Sequence, residues 1–309
     1  MGIFRNLLLW GSENPWMRTH VPQFKFVKRA VKRFMPGEEI QDAIEATRGL
    51  NNNGIPTTFT RLGENLTDLS EARLVTNHYL YVLEQISKEK LNTEISVKLT
   101  QLGFDLSIEK TLEFFSEIAE KAKSLNNTVF IDMEGSAYTQ STIDFYKRVK
   151  SKHSNVGICL QAYLYRTQND LEDLFPVHPT IRLVKGAYNE PTEVAYPKKS
   201  DVDNNYFTLA KLLLEEVKTK NIRAAFATHD ENLVKQISDY GMSIDLPKDK
   251  IEFQMLYGIK SGFQSEIKKL GFRILVLISY GQAWFPWYMR RLAERPANVT
   301  FVLKSMFSR

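Results

Sequence analysis

Cysteine and histidine are scarce in this chain of 309 residues. The single cysteine, Cys159, excludes an internal disulfide and a zinc site built from cysteines, and the lack of disulfides favours a reducing compartment. The five histidines form neither H-x-H nor H-E-x-x-H, the spacings typical of zinc enzymes. We therefore expect no metal site.

Long apolar runs and glycine-rich nucleotide motifs are also absent. No run reaches the about 20 residues that a transmembrane helix needs, and the apolar run that ends at Trp10 is too short for a secretion signal. The sequence contains neither G-x-G-x-x-G nor G-x-x-x-x-G-K-[ST], so a Rossmann domain and a P-loop are not indicated.

The composition is that of an ordinary globular protein. The chain is 43% hydrophobic and 25% charged, with a net charge of +5 and a pI of about 9.0. This mild positive charge permits attraction to anionic substrates or to a membrane surface, but it does not indicate nucleic acid binding. The length allows one large domain, and α/β barrels commonly have this size.

The first fifty residues have a helical, basic pattern. Phe24, Val27, Val31 and Phe34 recur at helical spacing, with lysines and arginines between them. Such a helix packs on a core or touches a membrane surface. We predict an N-terminal helical arm over residues 1–54 and a catalytic domain over residues 55–309.

Eight short β-rich runs follow, separated by longer stretches with helical periodicity. They are nearly continuous in apolar residues, as strands buried on both faces should be. Eight strand–helix units predict an α/β fold of the (β/α)8 TIM-barrel type. The runs are PTTFTRLG (56–63), EISVKLT (94–100), TVFIDME (128–134), VGICLQAY (156–163), IRLVKGA (181–187), RAAFATH (223–229), IEFQML (251–256) and RILVLIS (273–279).

Polar residues gather at the carboxyl ends of these runs, where barrel enzymes place their active sites. Because buried charges are costly unless they are paired, such a set favours a ligand site. Its members are Glu64, Lys98, Asp132, Glu134, Gln161, Arg182, Lys185, Thr228, His229 and Gln254.

The last predicted helix carries Arg290 and Arg291, with Glu294 on the same face and several aromatic residues nearby. Two guanidinium groups can bind a carboxylate or phosphate through paired hydrogen bonds. We interpret the pair as an anion clamp; the structural alternative is a solvated helix face with an ion pair.

The residues alone leave three other functions open. Asp132, Glu134, His229 and Asp230 could bind a metal. Lys98 or Lys185 could form a Schiff base in a lyase. A barrel without catalytic activity could simply bind a small carboxylate.

Eight ordered segments resemble the proline dehydrogenase family in its short, monofunctional bacterial form. The resemblance covers about residues 55 to 301, and the segments are SVKLTQLGFDLS (96–107), FIDMEGS (130–136), LQAYLYR (160–166), RLVKGAY (182–188), PKKSDVDNNY (197–206), FATHD (226–230), EFQMLYG (252–258) and YMRRLAERPANVTF (288–301). The resemblance implies a distorted (β/α)8 barrel that binds FAD. It implies oxidation of L-proline to 1-pyrroline-5-carboxylate by hydride transfer to flavin N5, in the pathway of proline catabolism.

The same resemblance implies the partner that accepts the electrons. Reduced FAD would be reoxidised by a quinone or another electron acceptor. From the composition and the basic arm, we expect the protein to be cytoplasmic, or peripheral on the inner face of the membrane, and not to bind nucleic acid.

The resemblance also assigns roles to residues. Catalytic roles fall to Lys98, Asp132, Arg182, Arg290 and Arg291. Lys98 and the two arginines would hold the substrate carboxylate, and Leu256 would pack on the substrate ring. Glu64 would pair with Arg290 as a gate. Arg182 would donate toward flavin N5, and Lys199 would meet the pyrophosphate. The residues implied to bind FAD are Gln161, Arg182, Val184, Gly186, Ala187, Lys199, Thr228, His229 and Glu294.

The sequence departs from the family pattern at two positions in the substrate pocket. Leu277 and Trp287 stand where the family commonly has tyrosines. The alternative that these changes imply is a flavoenzyme that acts on a substituted or different cyclic amino acid.

Overall fold

Eight parallel strands close into a barrel, in which each strand pairs with the next and the last pairs with the first. The computed structural model describes residues 10–11, 14–24, 27, 31–63 and 66–294. The strands are β1 (Thr57–Arg61), β2 (Thr93–Val97), β3 (Val129–Ile131), β4 (Val156–Gln161), β5 (Thr180–Val184), β6 (Arg223–Ala227), β7 (Glu252–Leu256) and β8 (Arg273–Tyr280). Each falls within or overlaps one of the eight predicted runs, so the predicted barrel is confirmed.

Helices connect the strands and form the outer layer. They are α1 (Pro15–His20), α2 (Ile40–Asn52), α3 (Leu69–Lys88), α4 (Ile108–Ser124), α5 (Thr139–Lys150), α6 (Thr167–Leu174), α7 (Lys199–Lys220), α8 (Glu231–Ser243), α9 (Ser261–Lys269) and α10 (Trp284–Glu294). In α4, for example, Thr111, Phe115, Ile118 and Ala122 are buried at helical spacing, as expected for a helix with one face on the sheet.

The interior of the barrel holds a charged cluster at the amino ends of the strands. The guanidinium of Arg223 donates to Glu94 Oε1 at 2.5 Å and to Glu252 Oε1 at 2.8 Å. Desolvation acts to raise the pKa of Glu252, but the charge and hydrogen bonds of Arg223 outweigh it and hold the pKa below its usual value. This cluster satisfies the buried charges at the end of the barrel away from the mouth.

The predicted N-terminal arm makes two kinds of contact. In α2, Ile40, Ala43 and Ile44 belong to the main core, and Thr47 lies 3.1 Å from Thr57 between their hydroxyl oxygens. Before α2, Val27 belongs to a second buried cluster, which it shares with α10. The division of the chain after residue 54 remains our proposal, with α2 as the segment that joins the arm to the barrel.

The arm also crosses the loop after β7. Gly258 has a φ of +71°, and a Cβ there would lie 1.6 Å from the carbonyl oxygen of Arg33. Only glycine permits this approach. Trp284 donates through Nε1 to Glu38 Oε1 at 2.9 Å. These contacts hold the arm against α10, the helix that carries the arginine pair.

We expect Arg223→Met to destabilise the protein by about 3–5 kcal/mol, since it leaves Glu94 without the cation it pairs with and Glu252 with only the exposed Arg273, whose Nε lies 3.0 Å from Glu252 Oε2. Urea unfolding at pH 7 measures the loss. In the variant, desolvation raises the pKa of Glu252 without opposition from Arg223, and a carboxyl with a raised folded-state pKa costs stability as the pH rises. The loss should therefore shrink between pH 7 and pH 5, and the triple variant with Glu94→Leu and Glu252→Leu should recover most of it. A loss that does not depend on pH would contradict this account.

Candidate active site

Arg182 lies inside the barrel on β5, with 2% of its surface exposed. Its Nη1 donates to Ser96 Oγ at 3.0 Å and to Asp132 Oδ1 at 3.1 Å. Its guanidinium carbon lies 4.2 Å from the centroid of the Phe130 ring. Within the described part of the chain, the buried Nε and Nη2 atoms have no hydrogen-bond partner. Since buried donors are almost always satisfied, these two indicate the place of a ligand that supplies acceptors.

Asp132 connects three strands at the same level. Besides the bond from Arg182, its carboxylate accepts from Ser96 Oγ at 2.5 Å and from Thr60 Oγ1 at 3.4 Å. Neither hydroxyl was among the predicted site residues. Side chains two residues apart on a strand face the same way, and Ser96 thus lies on the same side of β2 as Glu94, which contacts Arg223 inside the barrel.

Cys159 lies beside this pair. Its Sγ is 3.5 Å from both Asp132 Oδ1 and Arg182 Nη1. Burial raises the pKa of the thiol to about 12, more than the nearby guanidinium lowers it. The thiol is therefore a neutral, unreactive group of the barrel interior.

Lys98 follows β2 at the mouth of the barrel and is half-buried. The described residues offer its ammonium group no hydrogen bond or ion pair. An ammonium group in such a position can bind an anion without first breaking an internal pair. This fits the predicted role of Lys98 in binding a carboxylate.

Glu134 and Gln161 join the ends of neighbouring strands. Glu134 accepts from the backbone N–H of Thr100 at 3.2 Å and from its hydroxyl at 2.8 Å. Gln161 donates through Nε2 to the carbonyl of Glu134, while its buried Oε1 has no partner among the described residues. Gln161 therefore keeps a free acceptor that a cofactor could use.

The chain leaves β5 through a segment that comes close to an aromatic ring. Gly186 has a φ of +113°, and a Cβ there would lie 2.4 Å from the Tyr163 ring. Val184 and Ala187, on either side, are half-buried. Glycine is required here because the Tyr163 ring occupies the space that a side chain would take and because other residues rarely adopt this φ.

Two lysines and two aspartates form an ion-pair cluster next to this segment. Lys185 Nζ lies 2.5 Å from Asp203 Oδ1 and 3.0 Å from Asp230 Oδ2, and the exposed Lys199 pairs with the same carboxylates. Burial acts to raise the pKa of Asp230, but Lys185 outweighs it and the pKa lies below its usual value. Lys185 therefore has an ion-pair role rather than that of the free amine that a Schiff base needs.

The end of β6 is tied to the end of β7. His229 Nε2 accepts the backbone N–H of Leu256 at 2.9 Å, so the proton of a neutral imidazole is on Nδ1. Thr228 is buried, and its hydroxyl accepts the backbone N–H of Asp230 at 3.1 Å. Both predicted FAD contacts thus lie at the mouth.

Arg290 projects from α10 toward the loop after β5. Its guanidinium carbon is 5.3 Å from the centroid of the Tyr188 ring, close enough for a cation–π contact. The sequence analysis did not assign a role to Tyr188, although it ends the segment RLVKGAY. Arg291 and Glu294 lie on α10, but the structure does not describe their side chains, and Glu64 lies outside the described residues.

The predicted pocket walls occupy two different environments. Leu256 and Leu277 are paired in register at adjacent strands and are both half-buried, which makes one side of the mouth apolar. Trp287 is 8% exposed and belongs to the buried cluster between the arm and α10. Its bulk contributes to the packing that holds α10.

A metal centre finds no support in the described part of the chain, where no three histidine, cysteine, aspartate or glutamate side chains form a metal-binding group. FAD fits better. The free donors of Arg182 and the free acceptor of Gln161 provide polar contacts for the cofactor.

Comparison with known proteins agrees with this geometry. The family model described as proline dehydrogenase matches residues 43–304. Proline dehydrogenase 2 of Bacillus subtilis is 37% identical over 277 residues, which are 90% of each chain. Proline dehydrogenase 1 of the same species is 35% identical over 99% of this chain and 100% of the relative. Proline dehydrogenase of Deinococcus radiodurans is 31% identical over 98% of each.

Among solved structures, proline utilization A from Bdellovibrio bacteriovorus, inactivated by N-propargylglycine, superposes with a TM-score of 0.82 at 25% identity. The match covers 94% of this chain but 36% of that larger protein. The family match and the monofunctional relatives, which are covered almost completely, lead to one conclusion. The chain belongs to the proline dehydrogenase family, a family of FAD-dependent oxidoreductases.

Proposed function

We propose that this protein oxidises L-proline to 1-pyrroline-5-carboxylate with FAD as its cofactor. The observation that carries the proposal is the pair of buried, unpartnered N–H groups of Arg182 at the mouth of the barrel, in a chain of this family. When bound, FAD supplies the acceptor for the hydride, which carries both of the electrons that proline loses. Family membership does not favour the lyase or the binding barrel without activity.

The carboxylate of proline would be held by Lys98, Arg290 and Arg291. The ammonium group of Lys98 lacks an internal partner among the described residues, and Arg290 reaches the mouth beside Tyr188. Several cations on one end of a small ring fix its orientation, and hydride transfer depends steeply on that orientation. The role of Arg291 rests on its place beside Arg290 in α10.

Arg182 would donate hydrogen bonds to the flavin near N5, where electron density rises on reduction. Asp132 holds Arg182 for this task. It accepts hydrogen bonds from Ser96, Thr60 and Arg182 and a weaker one from the Cys159 thiol, so it serves as an anchor rather than as a base. We propose that the proline amine gives its proton to solvent before binding.

Further FAD contacts come from the residues around the mouth. Gln161 would use its free Oε1, the backbone at Val184, Gly186 and Ala187 would lie against the cofactor, and Thr228 and His229 would border it. Lys199 would approach the pyrophosphate by exchanging part of its ion pairing. Glu294 would contact the cofactor or orient the clamp.

The apolar wall suits an unsubstituted ring. Leu256 and Leu277 offer carbon surface to the ring methylenes and no partner for a hydroxyl. Family membership likewise does not favour a different cyclic amino acid as substrate. Closure by a Glu64–Arg290 pair remains a proposal from the family resemblance.

The reduced flavin would pass electrons to a quinone or another acceptor, with the arm as the contact to the cytoplasmic face of a membrane. No helix in the described ranges could span a bilayer. Trp10 and Trp16 are 58% and 61% exposed. Residues 14–37 contain six lysines and arginines and no acidic residue. Exposed tryptophan next to positive charge suits an interface with anionic lipids.

Flavin content and substrate affinity test the enzymatic proposal. The purified protein should be yellow, and L-proline should bleach it without oxygen. Lys98→Met and Arg290→Met should each weaken proline binding about 10- to 150-fold, the range that a lost charge-assisted hydrogen bond implies, while the absorbance of bound flavin persists. Lys235→Met removes an exposed lysine paired with Asp239 and should change nothing. A colourless protein, or unchanged affinity in both variants, would overturn the proposal.

Vesicle sedimentation tests the membrane proposal. The protein should bind vesicles that contain anionic lipid better than neutral ones. Adding 0.5 M salt should weaken this binding, because salt screens the attraction between charges and shortens the Debye length to about 3 Å at 1 M. Trp16→Ser should reduce binding several-fold. The matched control is Leu74→Ser, which removes an apolar side chain that is 67% exposed on α3. Equal binding by the two variants would contradict the proposal that the arm contacts the membrane. So would an absence of binding by the native protein in both the oxidised and the reduced state.

A further inference from the structure

We propose that Phe130 is a positioning residue for Arg182. Its ring, seated in the space that Gly157 leaves empty, fixes the orientation of the guanidinium and so adjusts the reduction potential of the bound flavin. The inference rests on the proposed role of Arg182 toward FAD.

The seat of the ring is defined by its neighbours on β4 and β5. Phe130 on β3 pairs in register with Gly157 on β4. A Cβ on Gly157 would lie 2.6 Å from Cε1 and 2.7 Å from Cδ1 of the ring. Thr180 closes the same space, since its Cγ2 would be 3.0 Å from that Cβ. Phe130 therefore occupies the volume of the missing side chain and is fully buried.

Two guanidinium groups contact this ring. The carbon of Arg182 lies 4.2 Å from the ring centroid, and that of Arg223 lies 5.4 Å from it. Arg223 is itself fixed by Glu94 and Glu252. The ring thus lies between the charged cluster at the amino ends of the strands and the mouth of the barrel. On the side of that cluster, the guanidinium of Arg223 packs against it.

The ring contact supplies a constraint that the hydrogen bonds of Arg182 do not. Asp132 and Ser96 both bind the single atom Nη1. Bonds at one atom let a planar group pivot about that atom. Contact with an aromatic ring restricts the pivot, so Nε and Nη2 keep one direction. These are the two donors left for the flavin.

The direction of those donors matters because reduction adds electron density to the flavin. Fixed donors in a buried site stabilise developing charge more than donors that must reorient. If the ring is lost, the reduced flavin loses part of this stabilisation and the reduction potential falls. Affinity for proline depends on other cations and should change little.

Phe130→Leu tests this in the full chain loaded with FAD. We expect the equilibrium for flavin reduction to become about three- to tenfold less favourable in a dye-coupled reductive titration, where tenfold corresponds to about 30 mV for two electrons. Phe226→Leu is the matched control. Phe226 is equally buried on β6 but alternates with the inward Ala225, so it faces the helices. It should leave the potential unchanged.

Gly157→Ala should lower the potential in the same direction, because its Cβ displaces the ring. Gly49→Ala, which has no atom within 4 Å of its Cβ, is its control. Phe130→Tyr keeps the ring and should retain a potential near that of the native protein. If Phe130→Leu does not fold, Phe130→Met keeps the volume without the ring and takes its place.

Arg182→Lys separates the two levels of the hypothesis. An unchanged potential in this variant would show that Arg182 does not act on the flavin, and the proposed function of that residue would fail. A shift with Arg182→Lys but none with Phe130→Leu would overturn the positioning role alone. An equal shift in Phe226→Leu would reduce the effect to general loss of packing and would also overturn it.

Discussion

The interaction on which the mouth depends is the burial of the Arg182 guanidinium beside Asp132. A buried cation is costly unless it is paired and hydrogen-bonded. Asp132 and Ser96 satisfy one nitrogen, Phe130 covers the guanidinium, and the remaining donors face the place where FAD would lie. The protein thus holds a strong hydrogen-bond donor ready for the cofactor before it binds.

The barrel keeps this arrangement apart from the charges that serve stability. Arg223, Glu94 and Glu252 neutralise one another at the amino ends of the strands. At the carboxyl ends, Lys98 remains without an internal partner among the described residues. Parallel strands direct these groups to opposite ends of one interior, so the protein combines a satisfied core with a mouth that attracts anions.

The arm and α10 complete the site from outside the strand–helix units. The apolar face of the arm packs on Trp287 and its neighbours, and Gly258 lets the arm cross the loop after β7. The helix that carries Arg290 is therefore held by the same segment whose outer face exposes Trp16. The proposed membrane contact and the position of the proposed clamp therefore depend on one structural element.

The sequence by itself determined the barrel, because eight apolar runs alternating with helices allow few other folds. It also predicted charged residues at the strand ends, of which Lys98, Asp132 and Arg182 lie inside the barrel or at its mouth, and the ordered segments indicated the family. Only the tertiary structure decided which side chains contact one another. It places the ring of Phe130 in the gap at Gly157, holds Lys185 between two aspartates and brings Tyr188 to Arg290. All three depend on contacts between distant segments. Local periodicity carries no information about such contacts.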